Sequence, residues 1–178
     1  ENELAEWLKN WFVGMELHLE EDDAAEGISG TCGNLLCRVE GSLSGPPLLF
    51  GVHLDTVEPC HGKRPILDAD GTIHSDGTTI LGADDLAGVA AILAALKRLR
   101  RQGVQHRSLE LLFTVAEELH LLGSSRIKPD WLNAREAYVL DTAGPPGLAV
   151  HQAPGHIALE FDITGQAAHA GIAPEQGV

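Results

Sequence analysis

Three apolar runs of strand length stop abruptly at acidic residues, and this pattern limits what the chain can fold into. Residues 47–54 run into His53-Leu54-Asp55, residues 108–116 into Glu117-Glu118, and residues 136–140 into Asp141. A fourth acidic motif, Ala83-Asp84-Asp85, opens an Ala/Leu-rich segment. Charged groups at the ends of buried strands are costly without a partner. A pair of divalent cations would supply one, so the four motifs read together as a two-metal hydrolase site.

The periodicity supports a sheet with helices on its faces. Residues 85–101 predict a helix: apolar positions recur at 86, 89, 90, 93 and 96, aspartates stand at its start and Lys97, Arg98, Arg100 and Arg101 at its end, and Gly103 follows as a stop. Residues 1–19 predict an amphipathic helix through Leu4, Trp7, Leu8, Trp11, Phe12 and Met15. Strands are expected at 34–39, 47–54, 108–116 and 136–140, the last three buried. Loops or turns are expected at 20–30, 41–47 and 56–79, the last of these long, with room for a small hairpin. Strand and helix in alternation imply a mixed, largely parallel sheet, whose ligands bind beyond the carboxyl ends of the strands. After Pro145-Pro146 the pattern changes, and more strands are expected at 148–151 and 157–164. The expected division is a first domain at 1–153 and the beginning of a second at 154–178.

The 178 residues suffice for a sizeable core. With 26 acidic and 12 basic residues the formal charge is −14. Such a surface repels phosphate backbones and anionic lipid, so neither nucleic acid nor membrane is an expected partner. Glu1 opens a polar segment with no charged region ahead of an apolar one, so no secretory signal is expected. Cys32, Cys37 and Cys60 form an odd set without CxxC spacing, which suits reduced thiols in the cytoplasm. Cys37 is expected in the core. Cys60 beside His61 has the composition of a metal pair, but the two are read as part of a polar loop between strands. His18, His61, His74, His106, His120, His151 and His156 are read as solvated, with His120 notable for its place after the Glu pair.

Within the motifs, His53 and Asp55 are two apart on a strand and share a face. The pairing fits a metal ligand and the carboxylate that orients it. Of Asp84 and Asp85 one carboxylate can cap the helix, while the other can bridge two cations. In Glu117-Glu118 one side chain can bind metal while the other takes a proton from the attacking water. Asp141 adds a hard oxygen ligand.

GVHLDTV, SDGTTILGADDLAGVA, TVAEELHLLGS, VLDTAG and ITGQAAHAGIAPEQG, in that order, resemble the M20 metallopeptidases, most closely their peptidase T-like branch. The resemblance implies a zinc-exopeptidase-like α/β fold interrupted by an inserted α+β lid and dimerisation domain. It implies two divalent ions, expected to be zinc with cobalt or manganese as alternatives, and hydrolysis of small peptides in the manner of an aminopeptidase or tripeptidase. Carried over by position, His53 and Asp141 would hold one ion, Glu118 the other, and Asp84 would bridge them. Glu117 would be the general base, Asp55 would orient His53, and His169 of the AHAG segment would contact substrate, often across a homodimer. Two positions depart from the family: Leu86 stands where Lys is usual, and His120 where Gly is usual. The family's last metal-binding His belongs to a C-terminal catalytic segment absent from these 178 residues. The alternatives are an N-acyl amino-acid deacylase on the same residues, a cocatalytic aminopeptidase of another clan sharing the same acids, and a non-catalytic metal-binding relative.

Overall fold

The computed structural model describes residues 1–155, 157–162 and 164–177. Among these residues the chain forms two compact units, 1–143 and 144–178. The solvated reading of His156 and the place of Ile163 in an expected strand lie outside the described residues.

The first unit is a sheet with helical segments against it. In chain order it contains α1 (Asn2–Gly14), β1 (Leu19–Glu21), α2 (Ala24–Ile28), β2 (Leu35–Val39), β3 (Leu43–His53), β4 (Pro65–Leu67), β5 (Ile73–Ser75), α3 (Ala83–Gln102), β6 (Arg107–Thr114) and β7 (Glu136–Val139). The sheet order is β1-β2-β6-β3-β7. Strands β6, β3 and β7 are mutually parallel, with His53 beside Thr114 and Gly51 beside Val139. Strand β2 is antiparallel to β6, and β1 to β2, so four of the five strands point the same way. Strands β4 and β5 form a separate antiparallel hairpin within the expected long loop.

Period-two alternation along β6 divides the core. Leu109, Leu111 and Phe113 face α1 and α3, joining Leu8, Phe12, Val89, Ile92 and Leu96. Phe12 and Phe113 meet edge to face, with ring centroids 5.7 Å apart. On the other face Leu112, with Leu36 and Leu49, packs under Ile127, Trp131 and Leu132. That cover comes from two short 3-10 turns, Ser124–Arg126 and Pro129–Trp131, in place of a long helix.

Glu110 also points to this second face and is 1 % exposed. Its carboxylate accepts hydrogen bonds from the backbone amides of Asn133 and Ala134, each at 3.0 Å, and from Asn133 Nδ2 at 3.1 Å. Arg38 Nε lies 3.6 Å away. Arg38 in turn pairs with Glu20 and donates to the Trp131 carbonyl at 2.6 Å. A buried charge thus ties the 131–134 segment to the centre of the sheet.

Several expectations need correction. Strand β7 is exposed along its length, because it lies at the sheet edge with β3 as its one strand neighbour; Tyr138 stacks on Phe50 across that pair. The expected turn at 41–47 is largely the first half of β3, where Pro46 and Pro47 coincide with a register shift against β6. Missing ladder donors are tolerated at such an irregularity. The expected loop at 20–30 contains α2 and part of β1.

In the second unit, residues 148–151 and 157–162 form no strand. Ile157, Leu159 and Phe161 alternate as a strand would, yet all are highly exposed. Alternation requires a paired partner to become a sheet, and the described residues of this unit offer none. The unit contains the 3-10 turn Pro174–Gln176. Among the described residues no helix is long and apolar enough to cross a membrane.

Replacing Glu110 with Ala leaves the amides of residues 133 and 134 without their acceptor, while Arg38 keeps Glu20 and the Trp131 carbonyl. The expected loss of stability is about 3 kcal/mol, measured by urea unfolding; a loss below about 1 kcal/mol would show that the carboxylate is not a structural tie.

Candidate metal centre

The parallel register brings the ends of β3, β6 and β7 level, and the acidic motifs meet there. His53, the last residue of β3, is 2 % exposed. Its Nε2 lies 3.0 Å from Asp84 Oδ1 and 3.9 Å from Glu117 Oε2. Its Nδ1 faces Asp55, 2.9 Å from the backbone carbonyl and 3.4 Å from the carboxylate. The imidazole is therefore oriented mainly by the Asp55 main chain.

The Asp55 carboxylate has a further task. One oxygen accepts the Glu117 amide and the other the Glu118 amide, each at 2.9 Å. The end of β3 thereby fixes the loop after β6. That loop turns sharply: Ala116, His120 and Leu121 all have positive φ. Positive φ costs a side-chain-bearing residue and accumulates at functional sites. Position 120 favours glycine for this reason.

Asn34, fully buried, braces the loop from behind. Its Oδ1 accepts the Val115 amide at 3.1 Å, and its Nδ2 donates to Asp22 Oδ2 at 2.8 Å and to the Gly123 carbonyl at 2.9 Å. Sequence reasoning missed this residue. A lone Asn before an apolar strand carries no periodic signal.

Asp84 and Asp85 divide the work expected of an acidic pair at a helix start. The peptide between them is cis, and neither has helical backbone angles. Asp84 is exposed toward His53. Asp85 is buried, accepts the His53 amide at 3.3 Å, and lies against the Gly88 amide, three residues on, as a helix cap does. A Cβ at Gly88 would collide with the Asp85 carboxylate and with Val52, so glycine is required there.

The electrostatics are those of crowded like charges. Burial raises the Asp85 carboxyl to about 6, against the pull of the His53 amide. Burial likewise raises Asp141, reinforced by the charge of Asp84. It raises Glu117 too, where His53 opposes and Asp141, Glu118 and Asp55 assist. For His53 burial works against protonation, but the Asp84 hydrogen bond and the charges of Asp55, Asp141 and Glu117 prevail and raise its pKa.

Two sets of ligand atoms each converge within 4.8 Å: His53, Glu117 and Asp141 in one, His53, Asp84 and Glu118 in the other. One imidazole among several hard carboxylate oxygens fits divalent cations. Five predicted site residues are thus brought together, and Asp55 is bonded to their loop. His169 belongs to the second unit, where it is exposed and its Nδ1 accepts the Gly171 amide at 3.1 Å.

Acidic side chains gathered at the ends of parallel strands form a cation-binding arrangement. A family model described as peptidase family M28 matches residues 34–169, and the chain belongs to that family. The motifs had pointed to the M20 peptidases; the comparisons support peptidase membership at a level that spans both groups. A Bacillus subtilis (strain 168) protein named YqjE is 36 % identical over 178 residues, all of this chain and 48 % of that protein. Among solved structures, aminopeptidase PepT from Bacillus cereus ATCC 10987 superposes with a TM-score of 0.79 at 34 % identity, over 99 % of this chain and 47 % of that one. A tripeptidase from Staphylococcus aureus subsp. aureus Mu50 superposes with a TM-score of 0.75 at 37 % identity, over 79 % of this chain and 38 % of that one. The chain spans about half the length, or less, of these relatives.

Because Asp85 holds its proton more tightly folded than unfolded, ionisation of this group costs stability. Relative to an Asp85→Asn variant, the metal-free protein is expected to lose up to about 3 kcal/mol between about pH 4 and pH 6, and no more above that. Urea unfolding of both proteins across that range checks this, and a difference that grows in the opposite direction would contradict it.

Proposed function

We propose that this chain carries the metal-binding half of a peptidase that hydrolyses small peptides, in the manner of an aminopeptidase or tripeptidase. The observation that carries this reading is the convergence of His53, Asp84, Glu117, Glu118 and Asp141 at one end of three parallel strands. Family membership and the PepT and tripeptidase structures support it.

In this reading His53 and Asp141 would hold one divalent ion and Glu118 the other, with Asp84 serving both. Zinc is the ion that the family resemblance favours, and cobalt or manganese would be accepted by the same ligands. Ions held there would supply Lewis acidity and lower the pKa of bound water toward neutrality. Asp55 acts as a positioning residue through the His53 ring and through the amides of Glu117 and Glu118. Glu117 is the general base: its raised pKa brings it nearer the operating pH than an ordinary carboxylate. It receives the proton of the attacking water and returns it to the leaving amine. His169 of the second unit serves substrate contact, and a homodimer through that unit is the expected assembly. The reduced, odd set of cysteines suits the cytoplasm.

The test is Glu117→Gln in the whole protein that contains this chain. Metal content is expected to be unchanged and tripeptide turnover to fall by a factor of about 10² to 10⁴. Retained turnover would remove Glu117 from the mechanism. Absence of bound metal in the unsubstituted protein would remove the proposal altogether.

A further inference from the structure

Beyond His53 the chain leaves the sheet in a loop that carries a second cluster of donors: Glu58, Cys60 and His61. Their ligand atoms lie within 4.8 Å of one another. Cys60 Sγ is 3.3 Å from Glu58 Oε1, and His61 Nε2 is 3.7 Å from the same oxygen. A tetrahedral zinc ion with bonds of about 2.0 to 2.3 Å separates its ligands by roughly 3.3 to 3.5 Å. Two of the three separations therefore already stand close to the edges of such a tetrahedron. The Cys60 amide also donates to Glu58 Oε2 at 2.7 Å, which holds the carboxylate beside the thiol. The loop is anchored at both sides: the Ile80 amide donates to the Pro59 carbonyl at 3.0 Å, and Lys63 Nζ to Thr56 Oγ1 at 2.9 Å.

We propose that Glu58, Cys60 and His61 form a third metal site, separate from the strand-end cluster, that binds a zinc-class divalent ion through one sulfur, one nitrogen and one oxygen and leaves its fourth position open. A mixed S, N, O set selects borderline-soft ions over magnesium and calcium, which take oxygen ligands. Cys60 is the suitable thiol. Cys32 and Cys37 are buried in the core, where burial raises both and pushes Cys37 up to about 12, so neither supplies a thiolate at neutral pH. All three ligands come from four consecutive residues, so little chain ordering opposes binding. The sequence reading of Cys60 and His61 as a plain polar loop lacked Glu58, whose convergence with them only the folded turn reveals.

Cobalt titration of the reduced whole protein that contains this chain, at pH 7.5, tests this. A near-ultraviolet thiolate-to-cobalt charge-transfer band is expected, suppressed by zinc but not by magnesium. Cys60→Ala should abolish it. His61→Ala and Glu58→Gln should each weaken cobalt binding about tenfold or more. Cys32→Ser and the strand-end variant Asp84→Asn should leave the band intact, which separates this site from the proposed catalytic one. No band in the unsubstituted chain, a band that survives Cys60→Ala, or one lost with Asp84→Asn would overturn the proposal.

Discussion

Negative charge is crowded at one end of the sheet, and the architecture around it exists to hold that charge in place. Asp55, Asp84, Asp85, Glu117, Glu118 and Asp141 gather about a single buried imidazole, and the titrations of Asp85, Glu117 and Asp141 are all pushed upward. Left alone, these like charges repel one another, and Asp85, Glu117 and Asp141 also lose hydration. What keeps them together is main-chain geometry. Parallel register sets the strand ends level, the Asp55 carboxylate grips two successive amides of the neighbouring loop, and Asp85 grips the His53 amide and the start of α3. A divalent cation bound in this setting would turn mutual repulsion into shared attraction.

The two faces of the sheet are held by different means. Toward α1 and α3 the contacts are apolar and continuous, from Leu8 and Phe12 to Phe113 and Leu96. Toward the 3-10 turns the apolar contact is small, and buried polar ties supplement it: Glu110 to residues 133 and 134, and Asn34 to Asp22, Val115 and Gly123. The Asn34 ties support the loop that carries the Glu pair, and the Glu110 ties hold residues 133 and 134. The positive-φ residues of that loop are sustained by surroundings that leave the backbone little choice. Membership in peptidase family M28 agrees with such a design, in which rigid strands present the ligands and loops aim them.

Much of this was legible in the residues themselves. The helix at 83–102 follows from an apolar stripe between two aspartates and a basic end, and strands β2, β3 and β6 follow from apolar runs. The site was legible because His, Asp and Glu at the ends of apolar runs are costly anomalies with few physical resolutions. The failures also have particular causes. Glu136–Val139 has the composition of a buried strand, yet it lies at an edge, and burial depends on neighbours that composition does not name. Residues 157–162 have strand alternation without a partner to pair with.

The amino-acid sequence by itself determined the alternation of strand and helix, the residues at the strand ends and the class of chemistry they permit, because periodicity and the cost of misplaced charge are local properties. Tertiary structure alone decided which strands are neighbours, that Asp55 binds the Glu117 and Glu118 amides, that Asp85 caps while Asp84 faces His53, and that Asn34 and Glu110 are buried ties. Those outcomes depend on groups far apart in the chain arriving within hydrogen-bonding distance, which register and packing settle and residue order does not.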